Sequence, residues 1–220
     1  MTIRVLKILV FVAALGPVAW LIWAGRTGNL SANPLSDITN ETGVWTLRFV
    51  CITLAITPLR RLTGWNALIR FRRMTGLFAF LYGTLHFLTY VIVDRFAGLD
   101  FPHGIVAWTT VVNLAKSVSE DIYKRPFITL GFATWLTMVP LALTSTAGWI
   151  RRLGGRRWNR LHRLVYATGV LGVLHYWWLV KADVRRPLTY GFVVVLLLAF
   201  RIYWSRSRAA APARASAVRA

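Results

Sequence analysis

Six apolar blocks divide this chain of 220 residues, at 8–23, 43–57, 76–93, 127–145, 164–180 and 187–203. Short segments rich in arginine separate them. Runs of this length exceed what a soluble core helix needs, and they lack amphipathic spacing. Only 15% of the residues are charged, against roughly a quarter in soluble domains. The expected fold is therefore an all-α integral membrane protein, a bundle of six transmembrane helices. Several blocks, at 15 to 18 residues, are short for a span, which tilt and snorkelling flanks accommodate. No small-x-small cleavage pattern follows the first block at residues 20–25, so it reads as a retained helix. Pro58 and Pro187 suit helix boundaries. Residues 101–123 are less apolar and read as an amphipathic surface segment, with His103 a surface residue.

The basic residues set an orientation. The N-terminus, the 60–73 connection, the 151–163 connection and the C-terminal end hold 18 lysines and arginines; the opposite connections hold eight. All seven acids (Asp37, Glu41, Asp94, Asp100, Glu120, Asp121 and Asp183) fall on that second side. The positive-inside rule then places both termini in the cytoplasm. The net charge of +20 lies between apolar blocks and not on one folded face, which argues against nucleic acid and leaves the lipid bilayer as the surround. Residues 1–204 form the expected bundle, and 205–220, rich in Ala, Arg and Ser, a disordered basic cytoplasmic tail. Cys51 is the single cysteine, so disulfide and thiolate-cluster chemistry are excluded.

Histidine inside a membrane helix is costly and marks a functional site by default. Residues 160–180, read as one helix, carry His162 and His175. Thirteen residues separate these by roughly 20 Å along the axis and about 140° around it. His86 lies seven residues before the end of the third block and His175 five before the end of the fifth. Both helices run outward, so these imidazoles share a depth in the outer half. Two neutral imidazoles from neighbouring helices are the axial ligands expected of haem b. His162, among Arg157, Arg160 and Arg163, sits at the inner boundary, where a second haem would bind. Packing by hydrogen bonds to a neighbouring helix is the alternative role for any one of them. Gly169 and Gly172 admit either a macrocycle or ordinary helix packing. Arg48 is a candidate partner for a haem propionate or a snorkelling side chain. No Gly-rich phosphate loop and no catalytic pocket emerges.

Four motifs add a resemblance. They are Arg72-Arg73-Met74-x-Gly76-Leu77 followed by Thr84-Leu85-His86; Ile56-Thr57-Pro58-Leu59-Arg60; Lys124-Arg125-Pro126-Phe127-Ile128; and Trp158-x-x-Leu161-His162-Arg163-Leu164-x-Tyr166. Together they resemble the MsrQ family, formerly YedZ, within the ferric-reductase-like transmembrane proteins. The resemblance implies a haem-binding subunit in the bacterial inner membrane that passes electrons to MsrP, a periplasmic molybdopterin reductase that repairs oxidised methionine. It also implies the quinone pool or a cytoplasmic flavin reductase as donor, with haem b (one or two) and FMN as cofactors. Carried onto this chain, it makes His86 and His175 ligands of an outer haem and His162 a ligand of an inner one. The partner of that inner histidine falls at Arg72 or Arg73, neither able to ligate iron. Met74 has a thioether that can, or it packs at the helix start. The rival readings are a non-redox transporter or assembly factor, and a ferric or quinol-linked cytochrome b.

Overall fold

The computed structural model describes residues 3–96, 108–180 and 182–217, and every element among them is helical. In chain order these are α1 (Ile3–Thr27), α2 (Pro34–Thr63), a 3-10 turn (Asn66–Arg70), α3 (Arg72–Leu88) running into a π-helix (Thr89–Phe96), α4 (Trp108–Lys124), α5 (Pro126–Leu143), α6 (Ala147–Leu161), α7 (Leu164–Leu179) and α8 (Arg185–Ala217). Five stretches are long and apolar enough to cross a membrane: α1, α2, Arg72–Val93, α5 and Arg185–Ser207. The apolar helix α7 is shorter, at 16 residues. The chain is a multi-pass membrane protein. His103 lies outside the described residues.

Helix boundaries follow local chemistry. Asn33 caps α2 by accepting from the Ser36 N–H at 3.1 Å, Pro34 opens its first turn, and Gly64 ends it in the left-handed region at φ 72°. Pro58 does not end this helix, as the sequence led us to expect; it lies buried inside, with a further turn continuing to Thr63. A membrane helix tolerates the lost backbone bond where neighbours satisfy the freed carbonyl. Pro126 opens α5 in the same way as Pro34 opens α2.

A second expectation needs correction. Residues 160–180 are not one helix: α6 ends at Leu161, His162 and Arg163 form a turn, and α7 starts at Leu164. The side chain of His162 bonds α5 instead of continuing a helix, and that contact fixes the corner. The arginine-rich 151–163 connection is itself helical, bent at Gly154 (φ 71°). At the other end of the chain, α8 runs from Arg185 to Ala217.

Two helix pairs build the bundle: α2 lies along α3 and α5 along α7, and α2 also touches α1, α7 and α8. The core is aromatic. Phe49 stacks on Phe78 (5.5 Å between centroids) and Tyr82 (5.4 Å), with Ala14, Val50, Leu54 and Ala79 around them. The fully buried Tyr82 donates its hydroxyl to the Ala14 carbonyl at 2.7 Å and so ties α1 to the rest. Threonine pairs bond each helix pair internally, Thr53 to Thr75 at 2.9 Å and Thr137 to Thr168 at 2.8 Å. Gly169 meets Leu54 and Val194, and Gly172 meets Leu47 and Thr134, so both serve helix packing.

Candidate functional site

His86 lies in the last turn of α3 and His175 near the end of α7. Their ring centroids stand 6.1 Å apart with planes at 77°. With each imidazole nitrogen about 2.0 Å from a metal and its ring centre roughly 1 Å further back, two trans imidazoles place their centroids about 6 Å apart. The observed spacing leaves room for one metal ion between the two rings.

Each ring is fixed through Nδ1. His86 Nδ1–H donates to the Thr39 carbonyl in α2 at 2.9 Å, and His175 Nδ1–H donates to the Phe127 carbonyl in the first turn of α5 at 2.7 Å. A carbonyl can only accept, so Nδ1 carries the proton in both rings and Nε2 is left with its lone pair. This is the tautomer that metal ligation through Nε2 requires, held by the kind of outer bond that orients ligating histidines. Among the described residues there is no cluster of three or more His, Cys, Asp or Glu side chains that would make a closed metal cage. Two opposed imidazoles and no third donor suit a macrocycle that supplies its own equatorial ligands. The residues present fit haem.

Two glycines make room for these rings. A Cβ on Gly43 of α2 would stand 3.0 Å from His86, and one on Gly131 of α5 would stand 2.8 Å from His175. We did not single out these glycines, or the carbonyls of Thr39 and Phe127, from the sequence. The depth comparison that paired the histidines would have found Gly43 and Gly131, which fall near the same end of their helices; the carbonyls carry no residue signature.

At the opposite end of the bundle, His162 caps α6 and stacks on Trp158 with centroids 3.8 Å apart. Thr144 donates its hydroxyl to Pro140 at 2.6 Å, so it accepts from His162 Nε2–H at 3.1 Å. Trp158 Nε1–H donates to the Thr144 carbonyl at 2.9 Å, closing a three-residue knot. Burial first, and then the Arg72 guanidinium, holds the His162 imidazole below its ordinary pKa.

The remaining candidates scatter. Arg72 opens α3 within electrostatic reach of His162, Arg201 and Tyr166, and Arg201 lies 4.7 Å over the Tyr166 ring. Arg73 is exposed, and Met74 packs against the aromatic core. Arg48 sits between α2 and α8: its Nε–H donates to the Tyr190 hydroxyl at 3.2 Å, and its guanidinium covers Trp45 at 4.5 Å. Tyr190 in turn lies 6.3 Å from Tyr176, the neighbour of His175. The structure thus brings His86 and His175 together, with Arg48 one tyrosine pair away, and leaves His162, Arg72, Arg73 and Met74 at or toward the other end.

Residues 42–173 match the family described as ferric reductase like transmembrane component. A protein of Ralstonia nicotianae named protein-methionine-sulfoxide reductase heme-binding subunit MsrQ is 51% identical over 205 residues, 92% of this chain and 87% of its own length. Proteins of the same name from Xanthomonas euvesicatoria pv. vesicatoria (47% identical, 96% of this chain, 91% of theirs) and Herminiimonas arsenicoxydans (46%, 92% and 87%) are similar. No solved structure matches. Near-full-length identity at this level, with a family model that covers His86 and His162 and stops two residues short of His175, shows that the chain belongs to the MsrQ family of the ferric-reductase-like transmembrane proteins.

Proposed function

We propose that this protein is the membrane electron-transfer subunit of a methionine sulfoxide reductase system, with haem b held between His86 and His175. The observation that carries the reading is the pair itself: two imidazoles 6.1 Å apart, both with Nδ1–H given to main-chain carbonyls. Bound there, haem would supply a one-electron relay in a low-dielectric surround. The chain's own part is to present two lone pairs, fix the ring planes and exclude water. Arg48, inside the bundle and close to the aromatic neighbours of His175, is the cation placed to meet a propionate.

In this reading six helices span the bacterial inner membrane, with α7 the sixth and both termini cytoplasmic. The histidine pair then lies toward the periplasm, where the acceptor is a molybdopterin methionine sulfoxide reductase, MsrP. The donor is the quinone pool or a cytoplasmic flavin source. FMN rests on the family resemblance, and Arg72 and Arg73 at the basic end are the charges suited to its phosphate. Residues 205–220 are cytoplasmic. Support for the orientation is the one-sided placement of acids and the excess of basic residues opposite them. A cysteine placed at Gly155, an open position in α6, is expected to resist an impermeant thiol reagent in intact cells and to react after lysis, once Cys51 has been replaced. Labelling before lysis would invert the orientation.

The functional test is reduction of purified, reconstituted protein. A Soret band that shifts with dithionite, and reoxidation by MsrP, are expected; a colourless protein would move the chain to a non-redox class. His162→Ala is expected to keep the haem and its dithionite reduction while slowing donor-driven reduction by about tenfold, the lower bound for losing a supporting contact of a redox site. Its contacts to Thr144 and Trp158 are at the donor end, away from the pair. Unchanged donor-driven rates would leave His162 a helix-corner residue.

A further inference from the structure

Asp121, near the end of α4, is 8% exposed and is the buried acid of the described chain. A carboxylate in such a place is costly unless its oxygens are bonded. Both are. The Tyr90 hydroxyl donates to Oδ2 at 2.7 Å, and Arg125 Nε–H approaches Oδ1 at 3.3 Å. What these partners are attached to gives the bonds their meaning. Tyr90 follows His86 by four residues and sits in the π-helix Thr89–Phe96. Such wide turns are rare and recur at functional sites, because they re-aim side chains. Arg125 immediately precedes Pro126 and Phe127, and Phe127 supplies the carbonyl that holds His175.

The α4–α5 corner is closed on its main chain too. Arg125 N–H donates to the Asp121 carbonyl at 2.9 Å, Ile128 N–H to the Arg125 carbonyl at 2.9 Å, and the Thr129 hydroxyl to the Ile122 carbonyl. The first turn of α5 is therefore fixed to Asp121 through a short run of bonded residues. The same carboxylate fixes the segment just beyond His86.

We propose that Asp121 is a positioning residue for the histidine pair: its carboxylate joins the segment after His86 to the helix start that holds His175, and so sets the relative orientation of the imidazoles. This rests on the haem reading given above. The two partners act differently. Tyr90 contributes a charge-assisted hydrogen bond, which fixes geometry. Arg125 carries the other oxygen, at 3.3 Å, to the start of α5.

Asp121→Asn keeps the shape and removes the charge; Tyr90→Phe keeps the charge and removes the bond. Haem content is expected to hold in both, since the ligands are untouched. Asp121→Asn is expected to change the low-spin ferric EPR g-values and, through the altered ligand geometry, the midpoint potential, because it weakens the bonds to both Tyr90 and Arg125. Tyr90→Phe is expected to alter the low-spin ferric EPR g-values, which report the angle between the imidazole planes, with a smaller effect on potential. Should Asp121→Asn lose haem, Asp121→Glu is expected to regain it, because it restores the charge and both acceptors. Haem-loaded Asp121→Asn and Tyr90→Phe proteins with the parental potential and EPR spectrum would overturn the proposal. So would haem loss that Asp121→Glu does not reverse. A parent protein that binds no haem would instead refute the haem reading, so the two failures are distinguishable.

Discussion

Replacing either His86 or His175 by alanine is expected to abolish the six-coordinate haem spectrum, and each substitution alone is expected to do so fully. The two rings form one site, 6.1 Å between centroids, and neither has a substitute within it. Removing one leaves the partner with a free Nε2 and no opposing donor. The measurement is the Soret absorbance per protein, together with a reduced-minus-oxidised spectrum. If one variant lost the spectrum and the other kept the parental spectrum and potential, the pairing would be wrong.

The second large effect is expected at a residue with no functional group. In Gly131→Ala the new methyl would fall 2.8 Å from the His175 ring, a distance that real Cβ contacts do not adopt. The imidazole is held at Nδ1 by Phe127, so the ring cannot retreat without giving up that bond. Overpacking of this kind costs about 1–3 kcal/mol, enough to lower haem occupancy by roughly tenfold at limiting haem. Gly43→Ala is expected to act in the same direction and more weakly, since its methyl would stand 3.0 Å from His86. Gly155→Ala, where a Cβ meets nothing within 4 Å, is the control and should keep parental haem content. The check is haem titration of the three purified variants. Equal occupancy in Gly131→Ala and Gly155→Ala would show that the cradle yields without consequence.

What the sequence could disclose was decided by hydrophobicity and by side-chain chemistry. The apolar blocks foretold the helices because a bilayer allows a backbone few alternatives. Depth alone brought His86 and His175 to one level, since position along a helix is simply residue count times rise. Proline was a poorer guide: Pro58 looked like an end and lies inside α2, because the stop is set by Gly64 and its left-handed backbone. The turn at His162 was illegible for a related reason. The segment 160–180 keeps its helical composition throughout, and the break comes with contacts of His162 to Thr144 at the end of α5 and to Trp158 one turn back in α6. The π-turn that aims Tyr90, the acceptor carbonyls and the glycine cradle all depend on which helices are neighbours, and a single chain read in order does not display adjacency.

The division of the bundle into two strongly packed pairs has a consequence for how the protein is made. His86 of α3 is clamped by α2, its own companion, and His175 of α7 is clamped by α5, again its own companion. Each direct clamp can form within its own pair as the chain inserts, and what remains for a later assembly step is the seam between the pairs, which Asp121 closes by bonding Tyr90 on one side and Arg125 on the other.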